Sequence, residues 1–324
     1  MNTAFKKFIK TKMFTLLVIL VVLIIVMTIG TSGYFIKLDN IKKILDSMYI
    51  NSLLTIGAAM LLISGELDLS VGTVGTAGMV MLAFFLKNLH WPLIPALILT
   101  LFSAAVIGLI NSLLVNKARF PSFIATLAMA SVAQGLSYMF TGGGTVTVSN
   151  KALRWIGSGQ LFGVIPISVI VVIVVFVIYG IILSKTKFGR QMYLVGGNPY
   201  AAKLSGINPH KVKTILFVNS ACLATVAGIV LSARASSASL QGIKAQQFYG
   251  LTAAILGGVS FGGGTGGMAG AFVGLLIFTS FANGMVNLHI NSWWNQVIYG
   301  LLLLAALTFD FFTSRMTMKK VKAS

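Results

Sequence analysis

The chain is 324 residues long, 57% hydrophobic and only 9% charged. Soluble domains carry about 25% charged residues, so this composition excludes a protein wetted on all sides. Lysine and arginine number 24 against five acids, a net charge of +19. The cations fall between apolar stretches, as membrane orientation and anionic lipid require, and do not suggest a nucleic-acid-binding face.

Apolar runs predict about ten membrane spans, at 14–30, 48–64, 71–86, 92–115, 121–140, 164–183, 212–233, 246–260, 267–287 and 293–312. The apolar run 165–183, nineteen residues without a charge, approaches the roughly 20 residues a bilayer crossing needs. Lys6, Lys7, Lys10 and Lys12 precede the first span, a pattern shared with signal peptides. No compact small-residue cleavage site closes it, so it reads as a first transmembrane helix entering from the cytoplasm. With both termini cytoplasmic, the inner segments hold those four lysines together with Lys117, Arg119, Lys185, Lys187, Arg190, Lys203, Lys211, Lys213, Arg315, Lys319, Lys320 and Lys322. These are twice the cations left outside or in spans, as positive-inside topology demands. The expected fold is an all-α polytopic transmembrane bundle forming a single domain over 1–324. It has an outer loop at 141–163 and an inner loop at 184–213. Asp39 and Asp46 are placed in an outer loop, and Asp310 ends the last span. Gly72, Gly75 and Gly78 recur every three residues, a small face on which helices can pack closely in lipid.

Glu66 and Asp68 stand out, between apolar spans in Ser64-Gly65-Glu66-Leu67-Asp68-Leu69-Ser70-Val71-Gly72. A charge held at mid-membrane costs roughly 2.5–3.5 kcal/mol on insertion scales. Such residues therefore face a cavity or satisfy backbone. Asp68 or Ser70 can N-cap the next span, or the carboxylates can border a solute path. His90, His210 and His289 lie far apart near span ends, which speaks against a metal site. Cys222 sits alone in an apolar span. A formal G-x-G-x-x-G at Gly262, Gly264 and Gly267 has transmembrane flanks, so it reads as a helix break. The sequence has no phosphate-binding G-x-x-x-x-G-K-[ST] loop and no visible catalytic triad. The chain is expected to bind no cofactor and catalyse nothing itself.

The inner loop carries a sharper signature. Asn198, Pro199 and Gly206 read as N-cap, first helical residue and terminator of a helix of about two turns. Ala201, Ala202 and Ser205 lie within it, and Gly196-Gly197 supplies a flexible approach. A short capped helix on the inner face suits docking of a cytoplasmic partner, or it lies on the surface with no partner.

These motifs together resemble the permease subunits of bacterial ATP-binding-cassette importers of the ribose, xylose and galactose type. The resemblance runs from about Asn51 to Asp310. It rests on the 64–72 run, on Gly108-Leu109-Ile110-Asn111-Ser112-Leu113-Leu114, and on Pro121-Ser122-Phe123-Ile124-Ala125-Thr126-Leu127. Gly189-Arg190, Gly196-Gly197-Asn198-Pro199, Ala201-Ala202, Ser205-Gly206-Ile207 and Leu256-Gly257-Gly258 complete it. It implies a pathway built by two permeases, identical or paired, with an extracytoplasmic binding protein delivering sugar. Two cytoplasmic ATPases, holding ATP and Mg, would dock on 196–206. Glu66, Asp68, Ser70, Asn111, Gly257 and Gly258 are the pathway or gating candidates. The sequence departs from the family at Glu66, where Gly is frequent, and at Gln247 and Tyr249, where an acidic pair is common.

Other readings remain open: a nucleoside or branched-chain amino acid importer, a stand-alone secondary carrier, or a membrane scaffold. Neutral hydrogen-bonders in the spans, Asn51, Asn111, Gln134, Asn219, Asn283 and Asn287, lean towards a neutral solute.

Overall fold

The computed structural model describes residues 11–163 and 165–322. Five long helices come first: α1 (Lys12–Gly30), α2 (Leu38–Ile63), α3 (Val71–Lys87), α4 (Leu93–Asn116) and α5 (Ser122–Thr141). A short helix α6 (Lys151–Ser158) leads to α7 (Ile167–Lys185), α8 (Lys187–Gly197), α9 (Pro199–Leu204) and α10 (Pro209–Ala235). The chain closes with α11 (Gln247–Leu256), α12 (Met268–Asn287) and α13 (Ser292–Lys322). Among the described residues strand is confined to two-residue pairings: β1 (Val146–Thr147) with β4 (Ser237–Ala238), and β2 (Gln160–Leu161) with β3 (Ile165–Pro166). The protein is an all-α polytopic membrane protein, with the 141–163 loop ordered by α6 and these pairings.

Among the described residues seven helices are long and apolar enough to cross a membrane: α1, α2, α4, α5, α7, α10 and α12. Three shorter apolar helices, α3, α11 and residues 296–308 of α13, stand where the other expected spans lie. Of these, α11 has ten residues, about 15 Å of helix against a hydrocarbon core of roughly 30 Å. The span expected at 246–260 is therefore a half-span that ends in a Gly-rich loop.

A second correction concerns α2, which begins at Leu38, ten residues before the expected start. Asp39 and Asp46 are thus helical and not in a loop. Polar residues interrupt the apolar run, while Asn40, Ile44 and Met48 keep one face buried. Asp46 pairs with Arg234 at the outer end of α10 and accepts a hydrogen bond from Ser168.

At the centre stands α10, packed against α2, α3 and α4. Its crossing with α3 depends on the small face expected from the glycine spacing. A Cβ on Gly228 would lie 2.1 Å from the Gly75 carbonyl oxygen, so only glycine lets these backbones meet. The two ends of the bundle differ in chemistry. All four tryptophans, Trp91, Trp155, Trp293 and Trp294, fall on segments expected outside, and such residues suit a membrane interface. The segments expected inside gather at the opposite end.

Candidate functional site

The inner end is built around the break between α2 and α3. Residues 64–70 leave the helix and lie against α5, and α5 satisfies their backbone. The Leu67 N–H donates to Ser122 Oγ at 3.3 Å and the Leu69 N–H to Thr126 Oγ1 at 3.0 Å. The register has a simple cause. Two residues of extended chain advance about 6.6 Å, and one helical turn from 122 to 126 advances about 6 Å. An i, i+4 hydroxyl pair therefore matches an i, i+2 pair of amides.

Both carboxylates of the break are nearly buried, Glu66 at 9% and Asp68 at 8% exposure. Asp68 Oδ1 accepts from the Ser70 N–H at 2.8 Å and from the Ser70 hydroxyl, whose oxygen accepts from Asn111 Nδ2 at 3.0 Å. Asp68 thus holds the amide of Ser70, the residue that precedes α3. Neither it nor Ser70 caps the first-turn amides of that helix through its side chain. Asp68 Oδ2 and Asn111 Oδ1 have no hydrogen-bond partner. Glu66 instead forms an ion pair with Lys213, in the first turns of α10.

Below the break lies α9. Asn198 Oδ1 accepts from the Ala201 N–H at 3.0 Å, Pro199 opens the helix, and Gly206, at φ +80°, follows its end. Ala202 is buried and Ala201 exposed. Tyr200 and Leu204 are 72% and 73% exposed, and their i, i+4 spacing puts them on one face. They were not singled out from the sequence, although that spacing was visible there.

The approach to α9 is not flexible. Gly196 and Gly197 are the last two residues of α8, and a Cβ on Gly196 would meet the Ile63 carbonyl oxygen at 1.8 Å and the Gly264 nitrogen at 2.7 Å. The Gly264 N–H donates to that same Ile63 oxygen at 2.8 Å. Tyr193 of α8 donates to the Gly266 carbonyl at 2.8 Å. Burial raises the Tyr193 phenol above its ordinary pKa of 10.0, so it remains a donor at physiological pH. α8 is therefore fastened to the end of α2 and to the Gly-rich loop together.

Residues 40–307 match a family described as "Branched-chain amino acid transport system / permease component". The chain belongs to this permease family. Among similar proteins are a probable ABC transporter permease, YphD, from Escherichia coli K12 and the ribose import permease RbsC of Bacillus subtilis 168. The first is 34% identical over 94% of this chain and 91% of its own length, the second 33% over 85% and 86%. The autoinducer 2 import system permease LsrC of Escherichia coli O9:H4 is 30% identical over 85% of this chain and 80% of its own. No solved structure matches the chain significantly. It is a multi-pass permease subunit of an ATP-binding-cassette importer of the bacterial inner membrane.

The permease brings together most residues singled out from its sequence. Glu66, Asp68, Ser70 and Asn111 form one cluster, and Gly196 packs on Ile63, which precedes the break. Gly257 lies apart, at the crossing of α11 with α12, where a Cβ would sit 2.4 Å from the Gly270 carbonyl oxygen. Gly258 turns the chain there at φ +83°. Among the described residues no group of three metal-ligating side chains is found. Of the neutral hydrogen-bonders, Asn219 accepts from Tyr179, and Asn287 donates to Asn283 and Asn40. Sequence reasoning missed Lys213, whose partner is the atypical Glu66. Removing one partner strands a largely buried charge. Glu66→Gln and Lys213→Gln should each destabilise the permease, and a double-mutant cycle read by thermal unfolding in detergent should give a coupling of about 0.5–3 kcal/mol.

Proposed function

We propose that this permease imports a small, ribose-like monosaccharide, delivered by an extracytoplasmic binding protein and driven by ATP hydrolysis in partner subunits. Two cytoplasmic ATPases, binding ATP and Mg, dock on α9, and a second permease copy or a paralogue completes the pathway. The observation that carries this reading is the joint between α9 and the broken helix. The exposed Tyr200–Leu204 face is one rigid step, through Gly196 and Ile63, from the segment that holds Glu66 and Asp68.

When the ATPases close, α8 and α9 move as a unit and displace Ile63 and Gly264. The break then shifts against α5, and the Asp68–Ser70–Asn111 chain and the Glu66–Lys213 pair open or close the inner end of the path. Gly257 and Gly258 are the pivot of the adjoining half-span. Asn51 and Gln134 each keep an amide oxygen without a partner, an acceptor suited to a sugar hydroxyl. The family description favours a second reading, an amino acid. A zwitterion, however, asks for charged partners, and Glu66 already has one.

Both readings are separated by uptake into vesicles holding the permease, its ATPase and its binding protein. ATP-dependent accumulation of a ribose-type sugar is expected. Accumulation of leucine or a nucleoside with no sugar uptake would overturn the reading, as would sugar uptake that needs no ATP.

A further inference from the structure

Tyr249, near the start of α11, and Tyr299, within α13, line a cavity that shares no residue with the cluster at the inner end. It has a volume of about 420 Å³ and is lined by Phe248, Tyr249, Gln296, Tyr299, Gly300 and Leu303. The rings of Tyr249 and Tyr299 lie 4.5 Å apart, edge to face, and Phe278, only 1% exposed, backs both at 5.2 and 4.8 Å. Packing thus fixes the aromatic wall before any solute arrives.

Gln296 is exposed on a helix that the apolar pattern puts in the membrane. An amide facing hydrocarbon without a partner costs roughly 4–8 kcal/mol on a cyclohexane scale, so this face borders water, solute or protein. No lining residue is charged, which excludes an ionic anchor for a charged solute. Gly300 leaves open space, with nothing within 4 Å of where its Cβ would be. Beside the cavity, the chain approaches the start of α3. Gln247, next to Phe248, has its amide oxygen 2.9 Å from where a Cβ on Gly72 would stand, two residues after Ser70.

We infer that this cavity is a solute site in the permease itself, receiving a neutral monosaccharide whose C–H face lies on Tyr249 and Tyr299 and whose hydroxyls bond Gln296. Aromatic faces carry partial negative charge and attract the weakly positive C–H groups of a sugar ring. An amide supplies both donors and an acceptor for its hydroxyls. A few polar groups in a mostly apolar pocket of this size are what small-molecule sites present. The inference rests on the sugar-import reading and adds the residues that hold the sugar in transit.

The test uses the complete importer in vesicles, with saturating liganded binding protein, and follows sugar uptake and ATP hydrolysis together. Gly300→Leu adds bulk at a lining position where a Cβ meets nothing within 4 Å, and Gln296→Ala removes the amide. Each is expected to lower uptake about tenfold while binding-protein-stimulated hydrolysis persists, so the ATP consumed per sugar rises. Uptake and ATP per sugar unchanged in both Gly300→Leu and Gln296→Ala would overturn the site, and so would an equal fall of uptake and hydrolysis, which marks a structural role. If wild-type vesicles import no sugar at all, the sugar-import reading itself fails, and the site with it.

Discussion

Ala201→Glu is expected to abolish ATP-driven uptake while the permease still folds and inserts. Ala201 is exposed on α9, between the exposed apolar residues Tyr200 and Leu204. At this exposed position the change should lie within about 0.5 kcal/mol for stability. In the assembled importer it would be trapped in the docking face, where an unpaired charge is costly. Uptake should fall at least tenfold, with an unshifted unfolding midpoint in detergent. Ala202→Glu is not an equivalent test. Ala202 is 3% exposed, so charge there should unfold the loop as well as uncouple it.

Gly196→Ala should be the most damaging single methyl in the molecule, whereas Gly197→Ala should be tolerated. At 196 the added carbon would strike the Ile63 carbonyl and the Gly264 amide, both backbone and already bonded to each other. Neither can move as a side-chain rotamer would. Overpacking of cores costs typically 1–3 kcal/mol, and a broken buried hydrogen bond adds about 1–3 kcal/mol. The next residue, Gly197, has nothing within 4 Å of a built Cβ. Paired measurement of unfolding midpoint and uptake should show a large loss of both for the first and neither for the second. Equal behaviour would mean that α8 is not wedged against α2.

Much of this fold could be read from residue pattern alone. The ten apolar runs, the alternation of basic inner and aromatic outer segments, and the cap residues of α9 are local chemistry. Asn198, Pro199 and Gly206 announce a short helix whatever surrounds them. The failures are long-range or concern length. The run at 246–260 is as apolar as a full span, and only tertiary structure shows that it turns away after Leu256. The start of α2 was hidden because polar Asp39, Lys42 and Lys43 sit on a helix whose other face is buried. Gly196-Gly197 looked like a hinge because two glycines in sequence say nothing about what stands 2 Å away. Glu66 looked like a departure without a cause until Lys213, 147 positions on, was found beside it. The Ser122–Thr126 pair was present in a familiar motif, and its purpose appears only when an extended segment lies alongside.

The central claim is that α9 docks an ATPase and drives the broken helix beside it. It is tested most directly by gentle-detergent purification of the tagged permease from its own membranes, with co-purifying proteins identified by mass spectrometry. The account predicts an ATP-binding-cassette ATPase with the wild-type chain and its loss with Ala201→Glu, at equal permease recovery. A permease recovered alone, in detergent that preserves a control importer, would contradict it, as would an ATPase retained undiminished by Ala201→Glu.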